Sequence, residues 1–385
     1  MRQSRLPGVL PLLRALVEAE SRFDLQSLAS ASTDTALDLG LGAALAYVTR
    51  ESAVPDDVPQ LERIQAADLM ARWTTGDILE TSVAVFAAAR AIDCQPVLMK
   101  GGATALRYYP EPHLRLMTDI DLLIPPGQLD ALESQLHALG FQQTSDKPVG
   151  TYDRHHHAMP FFDERRGIWI ELHTRPYPPS SPLASDSRFS RDAFDAHLAS
   201  LTIGGETALV MNHEMQLVYT CTRWAETLKS GRGIFPMLDV ALLLREEGRT
   251  LDWDRVCGIA QGSWAATPTT AMLSYLNRWK LAAVPPEVLR RLAPRGNFAN
   301  HVLNAVLNRL VTAFVMEARL PGSVLTPSNL RIIWSTLLRP GSPWVNFLAL
   351  GPNIAFPSDR DNRFDLSTAA KRIRSALGSS RTRII

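Results

Sequence analysis

The sequence predicts an α+β fold, a small mixed α/β sheet domain held between two helical regions. Three observations predict it. Apolar residues recur every three to four positions through residues 1–95 and again beyond about residue 205, the period of helices that bury one face. Between 95 and 175 the apolar runs shorten to strand length and alternate with helical stretches. Within that span, LRLMTDIDLLI (residues 114–124) carries two aspartates one residue apart. On a strand both point to one face, while Ile120 and Leu122 point to the other.

The elements follow in order. Residues 9–20 read as an amphipathic helix rather than a signal peptide, because Arg14 interrupts the apolar run and no small-residue cleavage site follows. DTALDLGLGAALAYVTRE, VPQLERIQAADLMARWTT and GDILETSVAVFAAARAI continue the helical region. PVLMK is a short strand ending at Gly101-Gly102, ATALRYY a helix, and MTDIDLLI a strand closed by Pro125-Pro126. PGQLDALESQLHAL (126–139) is an amphipathic helix with Gly140 as its C-cap. GFQQT, AMPFFDE and GIWIELH are further strands, and RPYPPSSPLASDS (175–187) is a surface loop or linker. EMQLVYTCTRWAETL, FPMLDVALLLREEG, DWDRVCGIAQG, TPTTAMLSYLNRW, HVLNAVLNRLVTAFVMEA and TPSNLRIIWSTLL are helices. The expected organisation is an N-terminal helical region (1–94), a core sheet domain (95–205), a helical domain (206–356) and a charged tail (357–385).

Composition narrows the class. The chain has 385 residues, enough for two or three domains, and is 46% hydrophobic and 21% charged. A net charge of +1 gives no global basic field, which argues against a long nucleic acid as partner. The three cysteines, Cys94, Cys221 and Cys257, are far apart and form no CxxC, so neither a disulfide framework nor a thiolate zinc site is expected; a reducing cytoplasm fits. No apolar run reaches the length that spans a bilayer.

Chemistry concentrates in three features. The turn Lys100-Gly101-Gly102 lies between a strand and a helix, where glycines let backbone amides approach a phosphate and the helix N-terminus favours negative charge. Asp119 and Asp121 share a strand face; two close like charges repel unless something neutralises them, and a divalent cation is the usual neutraliser. Glu171 in GIWIELH is a third carboxylate set between apolar residues on another strand. Three such carboxylates can hold two magnesium ions, which favour oxygen ligands and substrate phosphates.

In this order the features resemble the DNA polymerase beta-like nucleotidyltransferase superfamily. KGGATALRYYPEPHLRLMTDIDLLI, then LHALGF and IELHTR, more closely resemble its broadly uncharacterised bacterial nucleotidyltransferase family. MLDVALLL with Asp239, and DWDRV after it, extend the likeness over roughly residues 10–280. Sixteen residues lie between Gly102 and Asp119, a longer insertion than in many members of the superfamily.

The resemblance implies a nucleotidyltransferase-type sheet and a metal-dependent enzyme. Asp119, Asp121 and Glu171 would hold two Mg2+ ions, or Mn2+, and ATP or another nucleoside triphosphate would place its phosphates at Gly101-Gly102. An acceptor oxygen would attack the α-phosphate and release pyrophosphate, with Glu171 helping to deprotonate it. Relatives linked with peptide natural products make a modified ribosomal peptide, lasso-type included, a candidate acceptor. A protein or RNA acceptor, γ-phosphoryl transfer, and a non-catalytic nucleotide- or partner-binding module are the alternatives.

Several residues have two readings. Lys100 is a phosphate contact or a solvated strand-end lysine, and Arg115 a bidentate phosphate ligand or a surface charge. His173 shares the face of Glu171, either as a partner to that carboxylate or as a packed histidine. Asp239 either fixes its helix to the sheet domain or touches the nucleotide. Lys229 and Arg232 are solvated or belong to a phosphate pocket. His155-His156-His157 looks like a metal site, but no carboxylate pattern completes a zinc set, and consecutive side chains on an extended chain point in opposite directions, so the first reading is an exposed loop; the alternative is that one of them, His157, faces the active site.

Overall fold

The structure is a computed structural model. It describes residues 8–292 apart from 21, 26–27, 29, 53–59, 145–151, 153–154, 180, 182, 228–233 and 262–264. Lys229, Arg232, the helices expected beyond residue 300 and the charged tail lie outside the described residues.

The chain opens with helices α1 (Leu10–Val17), α2 (Ser30–Asp38), α3 (Gly42–Thr49) and α4 (Leu61–Arg90). The sheet region contains β1 (Val97–Leu98), α5 (Lys100–Tyr108), β2 (Asp119–Leu123), α6 (Leu129–Ala138), β3 (Gln142–Gln143), β4 (Phe161–Asp163) and β5 (Ile168–His173). Then come α7 (Arg191–Asp195), the hairpin β6 (Leu198–Ile203) and β7 (Glu206–Met211), and helices α8 (His213–Thr227), α9 (Ile234–Glu247), α10 (Trp253–Ala260), α11 (Ala266–Arg278) and α12 (Pro286–Leu292). No described helix is long and apolar enough to cross a membrane.

The seven strands form one mixed sheet in the order β3-β4-β5-β2-β1-β7-β6. β2 runs parallel to β5 and antiparallel to β1, and β1 runs parallel to β7. Strand alternation then divides the side chains of β2 and β5 between two environments. Ile120, Leu122, Ile170 and Leu172 join the core beneath α4 and α6. The other face carries Asp119, Asp121 and Leu123 on β2, and Trp169, Glu171 and His173 on β5.

The chain departs from expectation in three places. The expected pair of helices over VPQLERIQAADLMARWTT and GDILETSVAVFAAARAI is one helix, α4, about 45 Å long. Gly76 lies within it at an open position, where a Cβ would meet nothing within 4 Å. Its early residues Ile64 and Ala71 belong to a core shared with α1, α3, α8 and α9, whereas Ile78, Val85, Phe86 and Ala89 belong to the sheet core. The N-terminal helices are thus divided between both cores. The sheet also runs on to Met211, past residue 205, because Gly204 and Gly205 (φ +56° and +89°) close a tight β6–β7 turn. Finally, the loop expected at the surface over 175–187 buries Tyr177, Ser181 and Leu183.

Candidate active site

The site begins at the strand pair. Parallel register sets Asp121 opposite Glu171 and Leu123 opposite His173. Asp121 Oδ1 lies 2.8 Å from His173 Nε2, which is 3.3 Å from Glu171 Oε2. One ligand atom from each of Asp121, Glu171 and His173 falls within 4.8 Å of the others. Asp119 stands two residues before Asp121 on the same face and is outside that tight group.

Lys100 supplies the positive charge. It starts α5 with φ +49°, a conformation that costs an L-residue of order 1–3 kcal/mol and persists only where surroundings enforce it. Its Nζ donates to Asp121 Oδ1 at 2.5 Å and lies 3.6 Å from Glu171 Oε2. The sequence offered a phosphate contact or a solvated charge for Lys100; the structure pairs it with the carboxylates.

The charges are unevenly balanced. Burial would raise the Asp121 carboxyl, but Lys100 and His173 together hold it well below the usual range. Burial is the largest influence on Glu171 and opposes its ionisation, but the His173 contact together with the charges of Lys100 and His157 outweighs it, so that group too is lowered. Asp119 differs. Burial, and then the charge of Asp121, push it up to about 7, with Lys100 only partly offsetting them. Lys100 contacts Asp121 and Glu171 but not Asp119, which the charges of Lys100 and Arg115 offset only in part, so Asp119 is left under-neutralised. An all-oxygen set short of positive charge has the chemistry that Mg2+ or Mn2+ selects, so the residues fit the implied ions.

The glycines have a packing reason. A Cβ at Gly102 would sit 3.0 Å from Leu98 Cδ1, and one at Gly101 would sit 3.2 Å from Arg115 Cζ. Both let the first turn of α5 lie close to β1 and to Arg115. The start of that turn leaves helix N-terminal amides without intrahelical partners.

Arg115 and Asp239 meet each other. Arg115 Nε donates to Asp239 Oδ1 at 3.0 Å, one terminal nitrogen donates to Oδ2 at 3.2 Å, and the other donates to the Leu116 carbonyl at 2.7 Å. Tyr109 adds a hydroxyl donor to Asp239 Oδ1 at 2.8 Å, and Phe235 lies under the guanidinium with its ring centroid 5.0 Å from Cζ. This clamp ties α9 to the loop before β2. Burial would lower the Arg115 pKa, but Asp239 reverses that, and Asp119 contributes in the same direction.

The histidine loop contradicts its sequence reading as an exposed stretch. His156 and His157 are buried, with rings 5.0 Å apart at the centroids, and His155 lies 4.4 and 4.0 Å from them. The chain here is not a regular strand. The β4–β5 ladder pairs Phe161 with Ile170, while His157 pairs with His173, a one-residue slip across Pro160 that turns the imidazoles toward one another. Sequence reasoning missed the slip; the Pro beside an alternating run was its only signal.

A family model described as an uncharacterised nucleotidyltransferase matches residues 29–281. Among solved structures, the chain is similar to an antigenic nucleotidyltransferase-like protein from Paracoccidioides brasiliensis, at 16% identity, over 56% of this chain and 92% of that one, with a TM-score of 0.32. A superposition that loose carries no inference about fold or site. A search of curated proteins finds no match. The matched span contains the whole strand pair, the α5 turn and the Arg115–Asp239 clamp, and on that match the chain belongs to the uncharacterised nucleotidyltransferase family.

Proposed function

We propose that the protein transfers a nucleoside monophosphate from a nucleoside triphosphate, most simply ATP, to a hydroxyl or phosphate oxygen of an acceptor, in a Mg2+-dependent reaction. The observation that carries this reading is the under-neutralised carboxylate face, Asp119, Asp121 and Glu171, beside the N-terminus of α5. Asp119, Asp121 and Glu171 would hold the ions, two Mg2+ or Mn2+. Bound there, the ions would neutralise charge that builds on the phosphates.

The chain's own groups do the rest. Gly101 and Gly102 leave room for phosphate oxygens to reach the backbone amides of the first turn. Lys100 exchanges its carboxylate partners for phosphate as the donor enters. Arg115, fixed by Asp239, adds positive charge beside Asp119. Glu171 accepts the proton from the acceptor oxygen, which bonds to the α-phosphorus as the α–β anhydride bond breaks and pyrophosphate leaves. His173 keeps Glu171 and Asp121 in position. Catalysis here is positioning plus charge neutralisation.

The acceptor class we favour is a peptide. Leu69, Met70 and Trp73 on α4, and Leu116 three residues before Asp119, are large apolar side chains exposed among the described residues. With a net charge of +1, such a surface suits an apolar peptide better than a polyanion. The test is pyrophosphate release from a panel of nucleotides with Mg2+, followed by intact-mass analysis of peptide, protein and RNA acceptors. A gain of one nucleotide on a peptide is the expected result. Activity surviving Asp119→Ala with Asp121→Ala overturns the proposal, and ADP as product reassigns the reaction to γ-phosphoryl transfer.

A further inference from the structure

We infer that His155, His156 and His157 form a binding site for one borderline divalent transition-metal ion of the zinc or cobalt class, beside the carboxylate face but sharing no ligand with it. One ring nitrogen from each histidine lies within 4.8 Å of the other two. Imidazole nitrogens bind such an ion at about 2.0–2.1 Å, so the rings need only small rotations to converge. The loop is fixed for this: Ala158 N donates to the Leu172 carbonyl at 2.9 Å and Thr174 N to the His156 carbonyl at 2.8 Å.

Two details point to a ligand rather than to ring packing alone. His157 Nδ1 lies 2.8 Å from the Ala158 carbonyl and can only donate to it, which leaves the Nε2 lone pair available. His156 is 93% buried, yet its Nδ1 has no hydrogen-bond partner among the described residues. Buried polar atoms are nearly always satisfied, and a metal ion accounts for a ring nitrogen that is not. A three-imidazole set selects zinc, cobalt or nickel over magnesium, whose ligands are oxygens. The site also has a neighbour of consequence. The His173 ring lies 5.1 Å from that of His156 and 5.3 Å from that of His157, and its Nε2 touches Asp121 and Glu171. An ion on the triad would brace the end of β5 where it carries Glu171.

The experiment uses the full chain without a histidine tag, freed of metal by chelator and titrated with Co2+ in saturating Mg2+. Binding is followed by visible absorption, with Zn2+ as competitor. One Co2+ per chain is expected, displaced by Zn2+. His155→Gln, at a half-buried position, should weaken binding at least about tenfold with an unchanged metal-free melting midpoint, and the triple H155Q/H156Q/H157Q variant should abolish it. Asp121→Asn with Glu171→Gln should weaken binding less than His155→Gln does, because neither carboxylate is a ligand. No stoichiometric Co2+, affinity indifferent to His155→Gln, or binding lost with the carboxylates instead of the histidines would each overturn the assignment. If the triple variant does not fold, His155→Gln decides alone.

Discussion

Two buried clusters of charge lie within a few residues of one another, and they are built on opposite principles. In the Arg115–Asp239–Tyr109 clamp, one carboxylate receives the fork of one guanidinium and a phenol hydroxyl. Charge is balanced and the donors have acceptors. On the β2–β5 face, Lys100, with a left-handed backbone, pairs with Asp121 and Glu171, and burial and the neighbouring Asp121 charge push Asp119 up to about 7. The balanced cluster serves stability. The unbalanced one stores a demand for positive charge, which the metal ions proposed to arrive with a nucleotide would meet.

The largest effect that breaks the comparison is catalytic. Asp121→Asn should lower pyrophosphate release roughly 10^3-fold, the equivalent of several kcal/mol of lost charge stabilisation. It also removes the nearest partner of Lys100 and of His173, so the melting midpoint should fall too, a loss limited by Glu171, which remains 3.6 Å from Lys100. Turnover and calorimetric melting on one preparation separate the two.

The clamp should respond in the opposite sense. Asp239→Ala strands the Arg115 guanidinium in a buried setting and should cost about 3–5 kcal/mol of unfolding free energy, read from urea titration. Turnover per folded molecule should fall much less than in Asp121→Asn.

Acidity sharpens the contrast. The Asp119 pKa is raised from 3.8 to about 7. A raised pKa contributes stability that is complete below the unfolded value and lost as pH climbs through the folded value. Metal-free protein should therefore lose stability from this group between about pH 4 and pH 7. Asp119→Asn should remove that slope and raise metal-free stability at pH 8 by on the order of 2 kcal/mol. Asp121, held low, works in reverse and loses its contribution only as pH falls below its unfolded value. Thermal melts across pH in chelator, with and without the substitution, check the sign.

The smallest effect concerns the turn. Gly102→Ala places a Cβ 3.0 Å from buried Leu98 and should cost about 1 kcal/mol by overpacking, visible as a modest shift of the urea midpoint.

How much of this was legible in the sequence follows from range. Asp119, Asp121 and Glu171 could be placed because strand alternation is local and each sits between apolar neighbours. The α5 turn was legible from its glycines, although their immediate reason is close packing on Leu98 and Arg115. The Arg115–Asp239 pair spans more than a hundred residues, and no periodicity reports such a partner. Lys100 as counter-ion depends on a left-handed residue that a lysine does not advertise. The β6–β7 hairpin did carry a signal, the Gly204-Gly205 pair between alternating apolar residues, masked by the helical pattern that follows it. The histidine loop was misread because a local rule for extended chains fails where the register slips.

The central claim is that the β2–β5 carboxylates take up metal together with a nucleotide. Electron paramagnetic resonance of Mn2+, titrated into the chain with a non-hydrolysable ATP analogue, tests it most directly. The account predicts nucleotide-dependent binding of two Mn2+ per chain with spin coupling between them, lost in Asp121→Asn and kept in the H155Q/H156Q/H157Q variant. Mn2+ binding that ignores the nucleotide, or survives Asp121→Asn unchanged, would contradict it.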